Sequence, residues 1–325
     1  MSIDTPAAPT TTSIEEEQAS DSFTELVKRL SHQSVVKHFD AYADIAWDDP
    51  DFHIDVTDPR WELALDEPLA STDWYKAQPQ ETRARIGLHL IATKMKAGLQ
   101  FENILKRGLL EYAFTLPDNS VEYRYAYHEV IEEAQHGLMF QEFVNRTGLE
   151  VQGLSWDLKL GSRRVVKMGR RFPAMFFIFV LGGEDPIDYV QRETLRSGRD
   201  LHPLLERIMR IHVTEEARHL SFARHYLKRS VPKLSWLQRQ ALSIQAPITL
   251  GVMASVMLRP SKQVVRTYGI PAEVIKEAYG DNPKTRQALK DSLHKVRKLC
   301  IDLGIVSPAS KLLWKRLGIW DAARV

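Results

Sequence analysis

Two short runs carry the same acids and the same histidine at the same spacing: Glu132-Glu133-Ala134-Gln135-His136 and Glu215-Glu216-Ala217-Arg218-His219. Residues three apart share a helix face, so Glu133 with His136, and Glu216 with His219, can each hold one metal ion. One such pair arises often by chance on a solvated helix; two in nearly identical surroundings point to a dinuclear centre. That centre needs one further Glu from each of two other helices. Glu102 precedes Glu133 by 31 residues and Glu184 precedes Glu216 by 32, with turn signals at Pro117-Asp118 and near Asp200 about midway. On antiparallel helices, residues equidistant from the turn come level, here about 23 Å from it at 1.5 Å per residue. Glu193 is the rival to Glu184, but its distance from the turn misses that of Glu216 by about nine residues, or roughly 13 Å of helix. It reads as a solvated or outer acid.

Other residues fall near the same faces. His212 precedes Glu216 by four residues and His219 by seven, which makes it a further candidate ligand rather than a plain core histidine. Glu129 holds the equivalent place in the first half, where an outer or solvated carboxylate is the better reading. Glu132 and Glu215 precede the two histidines by four residues, so each could accept the imidazole N–H turned away from the metal, or simply face water. Asp188, one turn beyond Glu184, has the same two readings. Arg297 lies beside an apolar stripe near the C-terminus, where it either snorkels to solvent or clamps a substrate carboxylate.

The residue types narrow the metal. Four carboxylates offset the charge of two divalent ions, and imidazoles add nitrogen donors suited to iron, with manganese as the alternative. Zinc favours fewer ligands richer in nitrogen or sulfur, and calcium and magnesium rarely take three histidines. Cys300 is the only cysteine, which excludes intramolecular disulfides and thiolate cages and fits a reducing cytoplasm.

Helical periodicity dominates the elements that would position these groups. One helix is expected over about 22–43, followed by a proline-interrupted irregular stretch at 49–73. Four long helices follow, at about 79–116, 119–147, 164–197 and 201–230. Pro186 should kink the third. The uncharged run 241–258 reads as a buried core helix rather than a membrane span. Short helices are expected after Pro271, at 283–303 and after Ser307-Pro308. Residues 1–21 read as a disordered tail and 22–325 as a single helical domain, with the metal-binding bundle at about 79–230. A net charge of +2 and 26% charged residues give no sign of a nucleic-acid partner. No glycine-rich phosphate loop follows a strand, which argues against flavin or nicotinamide binding.

Over about 102–226 the sequence resembles the p-aminobenzoate N-oxygenase family of dinuclear-iron oxygenases. The matching features are Phe101-Glu102 with Leu105 and Arg107, Arg124-Tyr125, Glu133-x-x-His136 with Met139-Phe140, Gln191-Arg192-Glu193, and Arg210-Ile211-His212-x-x-x-Glu216-x-x-His219. The resemblance implies an all-α, ferritin-like four-helix bundle elaborated at both ends. It also implies two irons held by Glu102, Glu133, His136, Glu184, His212, Glu216 and His219, and dioxygen used to oxidise an arylamine nitrogen. Where an acidic pair in unbroken helix is expected, this chain has Gly182-Gly183-Glu184-Asp185-Pro186. Alternative readings are hydroxylation or desaturation of a carbon substrate such as an acyl chain, and iron oxidation or storage. The expected partners are a small organic substrate, dioxygen and an external electron donor; a homodimer is left open.

Overall fold

The computed structural model describes residues 11–280 and 282–321. About 75% of it is helical, and the described residues contain no strand. The first helix, α1, spans Thr11–Val36. The expected disordered tail is therefore helical from residue 11, where Ile14, Glu15-Glu16-Glu17, Gln18 and Ala19 supply helix formers; residues 1–10 lie outside the described ones. α1 stops at Val36, short of the expected 43, because the Asp40 carboxylate accepts the backbone N–H groups of Tyr42 and Ala43 and turns the chain. Three short 3-10 turns, each opened by a proline, and α2 (Asp73–Lys76) follow.

Four helices form the bundle: α3 (Gln80–Ala113), α4 (Val121–Thr147), α6 (Pro173–Arg196) and α7 (Pro203–Ser230). α3 packs on α4 and α6 on α7 as antiparallel hairpins, and contacts of α3 with α6 and of α4 with α7 close the ring. α4 starts where the Ser120 hydroxyl accepts the Tyr123 N–H, and ends at Gly148 with φ 63°. The expected single helix over 164–197 is instead two. α5 (Trp156–Arg171) ends at Phe172, and α6 begins with Pro173 in its first turn. Proline pushes the residue before it out of helical geometry and suits a first turn, so a break belongs here. α6 then runs as one helix through Pro186.

α5 lies against α3 and α6, and α8 (Trp236–Leu258) against α6. The reading of α8 as fully buried is overturned: Leu242, Ala246, Leu250 and Ala254 are buried, but Ile244, Ile248 and Val252 are exposed. No helix among the described residues is long and apolar enough to cross a membrane. α9 (Lys262–Thr267), not expected from the sequence, touches α3, and α10 (Ala272–Tyr279) covers the turn at Pro68–Ser71. The helix expected at 283–303 breaks at Leu293 into α11 (Pro283–Ser292) and α12 (His294–Asp302), both against α6. α13 (Pro308–Arg316), capped by Ser307 as expected, packs on α8.

Two apolar clusters fill the interior. One runs through Leu105, Phe176, Phe177, Phe222 and the C-terminal helices; the other joins Leu88, Phe143 and Ile208 to Trp47 and Trp61 of the N-terminal segment. On α3, α4 and α7 alike the clusters occupy opposite halves, and the acids and histidines fall between them.

Candidate metal centre

α3 brings Glu102 to this middle layer, α4 brings Glu133 and His136, α6 brings Glu184, and α7 brings His212, Glu216 and His219. None of the seven is more than 1% exposed. Ligand atoms within 4.8 Å of one another group as Glu102–Glu133–Glu184, Glu102–His136–His212, Glu133–His136–Glu216 and Glu184–His212–Glu216, and each of these six residues belongs to two of the groups. The acids expected to come level across their turns thus meet. Glu193 does not: it is exposed and paired with Arg196 at 3.4 Å.

A glycine explains how α6 comes close enough. A Cβ on Gly183 would lie 1.9 Å from Cζ of the Phe101 ring, and one on Gly182 would meet Leu250 at 2.9 Å. The glycine pair therefore lets α6 approach α3 on one side and α8 on the other. Glu184 and Glu102 each sit next to the residues in that contact, so the departure from an unbroken acidic helix serves to bring them together.

The histidines are held from behind, and crosswise. His219 Nδ1 lies 3.0 Å from Glu216 and 3.1 Å from Glu133, while its Nε2 is 2.8 Å from Glu132 on the other hairpin. His136 Nδ1 faces Glu216 at 3.4 Å, and its Nε2 is 2.9 Å from Glu215, again across hairpins. Glu132 and Glu215 therefore take the outward imidazole nitrogens, each from the opposite helix rather than its own. Arg218 reaches both acids, at 2.8 Å and 3.4 Å. The Phe39 N–H donates to Glu215, which ties the segment after α1 to this outer layer. His212 is turned the other way round. Its Nδ1 is 2.9 Å from Gln191 Oε1, and its Nε2 points inward, 3.6 Å from Glu102 and 3.9 Å from Glu216.

Electrostatics separate the groups. Burial opposes ionisation of Glu132, but the His219 hydrogen bond and the Arg218 charge outweigh it and bring the carboxyl down to about 2. Burial likewise disfavours a charged His136, yet its bonds to Glu133 and Glu215 raise it to about 9. His212 has no such compensation: burial and the neighbouring His136 charge lower it to about 4, so it stays a neutral imidazole, the form that ligates. Burial and repulsion from Glu216 and Glu133 raise Glu184 well above the carboxylate range.

Glu129 is neither solvated nor remote. It is fully buried, within 4.8 Å of Glu133 and His219, and burial raises it to about 7. Asp188 is buried but turned away from the cluster, 2.6 Å from Arg192 and 3.7 Å from Lys295. Arg297 does not snorkel. It is fully buried, and its Nη1 donates to the carbonyls of Lys290 and Ile319, which fastens the C-terminal turns together.

Both oxygens of Glu129 and Glu184, Oε2 of Glu102 and Glu216, His136 Nδ1 and His212 Nε2 are buried without a hydrogen-bond partner. So many unsatisfied polar atoms in one dry layer would cost several kcal/mol. Cations coordinated there remove the cost. Carboxylate and imidazole donors without a thiolate fit iron or manganese.

Gln191, Arg218 and the Phe101–Gly183 contact were not singled out by type and spacing. Arg218 carried a signal in standing inside the repeated motif where the first copy has Gln135, and Phe101 and Gln191 stood only within the stretches of family resemblance.

Residues 21–304 match the family described as P-aminobenzoate N-oxygenase AurF. Among curated proteins, the chain is 42% identical over 293 residues to "Uncharacterized protein Rv0885" of Mycobacterium tuberculosis and to "Uncharacterized protein Mb0909" of Mycobacterium bovis. Each alignment covers 90% of this chain and 86% of the relative. No solved structure matches.

Proposed function

The chain belongs to the p-aminobenzoate N-oxygenase family, and from that premise we propose that it binds two iron ions and uses dioxygen to oxidise the nitrogen of a small arylamine. The proposed ligands are Glu102, Glu133, His136, Glu184, His212, Glu216 and His219. The observation that carries this reading is the inward, unpartnered His212 Nε2 beside two complete Glu-x-x-His pairs. A third imidazole goes beyond the pattern of a generic dinuclear bundle. When bound, iron supplies the redox chemistry that dioxygen reduction requires.

The chain's own contribution is positional. Glu132 and Glu215 fix which nitrogen of each histidine faces inward, and Arg218 holds both acids. The Gln191 carboxamide does the same for His212. Phe101 and Phe140 border the layer with apolar surface, which keeps it dry. Converting an arylamine and dioxygen to an N-hydroxyarylamine and water takes two further electrons and two protons. An external donor, a reductase protein or a small reductant, supplies them. We place the reaction in the cytoplasm, where a chain with a single buried cysteine stays reduced.

The test uses iron-loaded protein, an external reductant, isotopically labelled dioxygen and 4-aminobenzoate. Mass spectrometry should find label on the nitrogen. Label on carbon with the nitrogen untouched would replace this reading with carbon hydroxylation. Iron turnover without organic product would replace it with iron oxidation.

A further inference from the structure

Net positive charge in this molecule is highest on one helix. α5 carries Lys159, Arg163, Arg164, Lys167, Arg170 and Arg171 against one acid, Asp157, a net +5 where the whole chain has only +2. All six cations are exposed, and among the described residues none makes an ion pair. Arg170 instead lies 4.9 Å over the ring of Phe114, itself exposed. The start of the same helix presents Trp156 at 76% exposure and Leu160 at 47%.

The half-buried α8 packs on α6, as α5 does. It has no charged residue from Gln240 to Leu258. Leu237, Ile244, Ile248 and Val252 form an outward stripe about 22 Å long at 1.5 Å per residue. Two observations bring α5 and α8 to the same face of the molecule. Val165 and Met168 of α5 share a pocket of about 120 Å³ with Gln245, Ile248 and Thr249 of α8. At the other end, Gln263 of α9 ties to the segment before α5 through the Gln152 N–H and the Glu150 carbonyl. Because Ile248 both lines the pocket and is exposed, the pocket opens within the stripe. Phe179 forms part of its wall and packs on Phe101, the neighbour of Glu102, with ring centroids 5.1 Å apart.

We propose that this α5–α8 face is a docking surface for an anionic lipid membrane, on which the protein lies without spanning it. Unpaired cations meet headgroup phosphates while Trp156, Leu160 and the α8 stripe enter the boundary with the acyl chains, the combination that interfacial attachment uses. A second copy of the chain is the poorer occupant, since a twofold contact through this face would bring two +5 helices together. An acidic protein would satisfy α5 but leave the uncharged stripe of α8 unaccounted for.

The experiment is cosedimentation of the full chain with vesicles of phosphatidylcholine alone, or mixed with phosphatidylglycerol. Binding should require the anionic lipid and weaken with salt. The Arg163→Glu/Arg164→Glu/Lys167→Glu variant should bind roughly 100-fold less well. Trp156→Ser/Leu160→Ser should lose the part of binding that survives high salt. All the substituted side chains are exposed, so circular dichroism and Tm should match wild type, and Arg163→Gln/Arg164→Gln provides a milder second variant. No wild-type binding to anionic vesicles would overturn the proposal and leave α5 to an acidic protein. Binding that the charge variants retain would overturn the assignment to this face. A change in oligomeric mass in place of lipid binding would identify the face as a contact between copies.

Discussion

Replacing Gly183 by alanine puts a methyl group where the Phe101 ring already sits. To reach ordinary carbon–carbon contact the ring would have to retreat by roughly 1.5–2 Å. It cannot swing freely, because Phe101 is only 4% exposed and is backed by Phe179. Overpacking of this kind costs about 1–3 kcal/mol, which lowers Tm by several degrees. The consequence for the centre should be larger than the stability change suggests. Glu102 and Glu184 follow Phe101 and Gly183 directly, and a site of this kind tolerates only about 0.5 Å of displacement. Gly183→Ala should therefore lower both Tm and iron content. Phe101→Ala added to it should recover part of each, a favourable coupling that a double-mutant cycle measures. Gly161→Ala is the control: nothing lies within 4 Å of its Cβ, and an exposed helical glycine gains about 1 kcal/mol on becoming alanine. Unchanged Tm and iron content in Gly183→Ala would refute the argument that close approach of α6 assembles the site.

Arg218→Leu removes the cation shared by Glu132 and Glu215 and should weaken iron binding about 10- to 100-fold, read by titration against a chelator. His212→Ala leaves both Glu-x-x-His pairs in place, so iron content should stay near normal while the rate of the oxygen-dependent absorbance change shifts; unchanged rates would make His212 a core residue. His202 supplies a pH dependence. Its Nδ1 accepts the Leu204 N–H at the start of α7, and Nε2 donates to the His53 carbonyl, so the ring must be neutral. Burial lowers its pKa below the ordinary value of about 6.5. The stability it contributes is therefore full above that value and is lost as pH falls through it toward the folded pKa. Tm should drop from pH 7.5 to 5.5 by more in wild type than in His202→Asn, which caps without titrating.

The duplicated Glu-x-x-His runs and the matched distances from two turns were legible because α-helical rise is fixed, so sequence separation converts directly to height. The same arithmetic set Glu193 aside. The break before Pro173 was legible in principle but lay hidden by apolar periodicity on both sides of it. Other features had no one-dimensional signal. Spacing places Glu132 and Glu215 on the helices of His136 and His219, but only packing of the hairpins decides that each acid serves the opposite histidine. Burial of Glu129 and Arg297 likewise depends on neighbours far along the chain. The exposed stripe of α8 read as core because a run without charges carries no mark of which side is covered.

Metal content of the purified chain, loaded anaerobically with ferrous iron and freed of excess, tests the central claim most directly. Two irons per chain are expected, falling in both Glu133→Ala and Glu216→Ala, because the overlapping ligand groups pass through these two carboxylates. A ceiling of one iron in wild type, or full occupancy in both variants, would contradict a dinuclear centre in this layer.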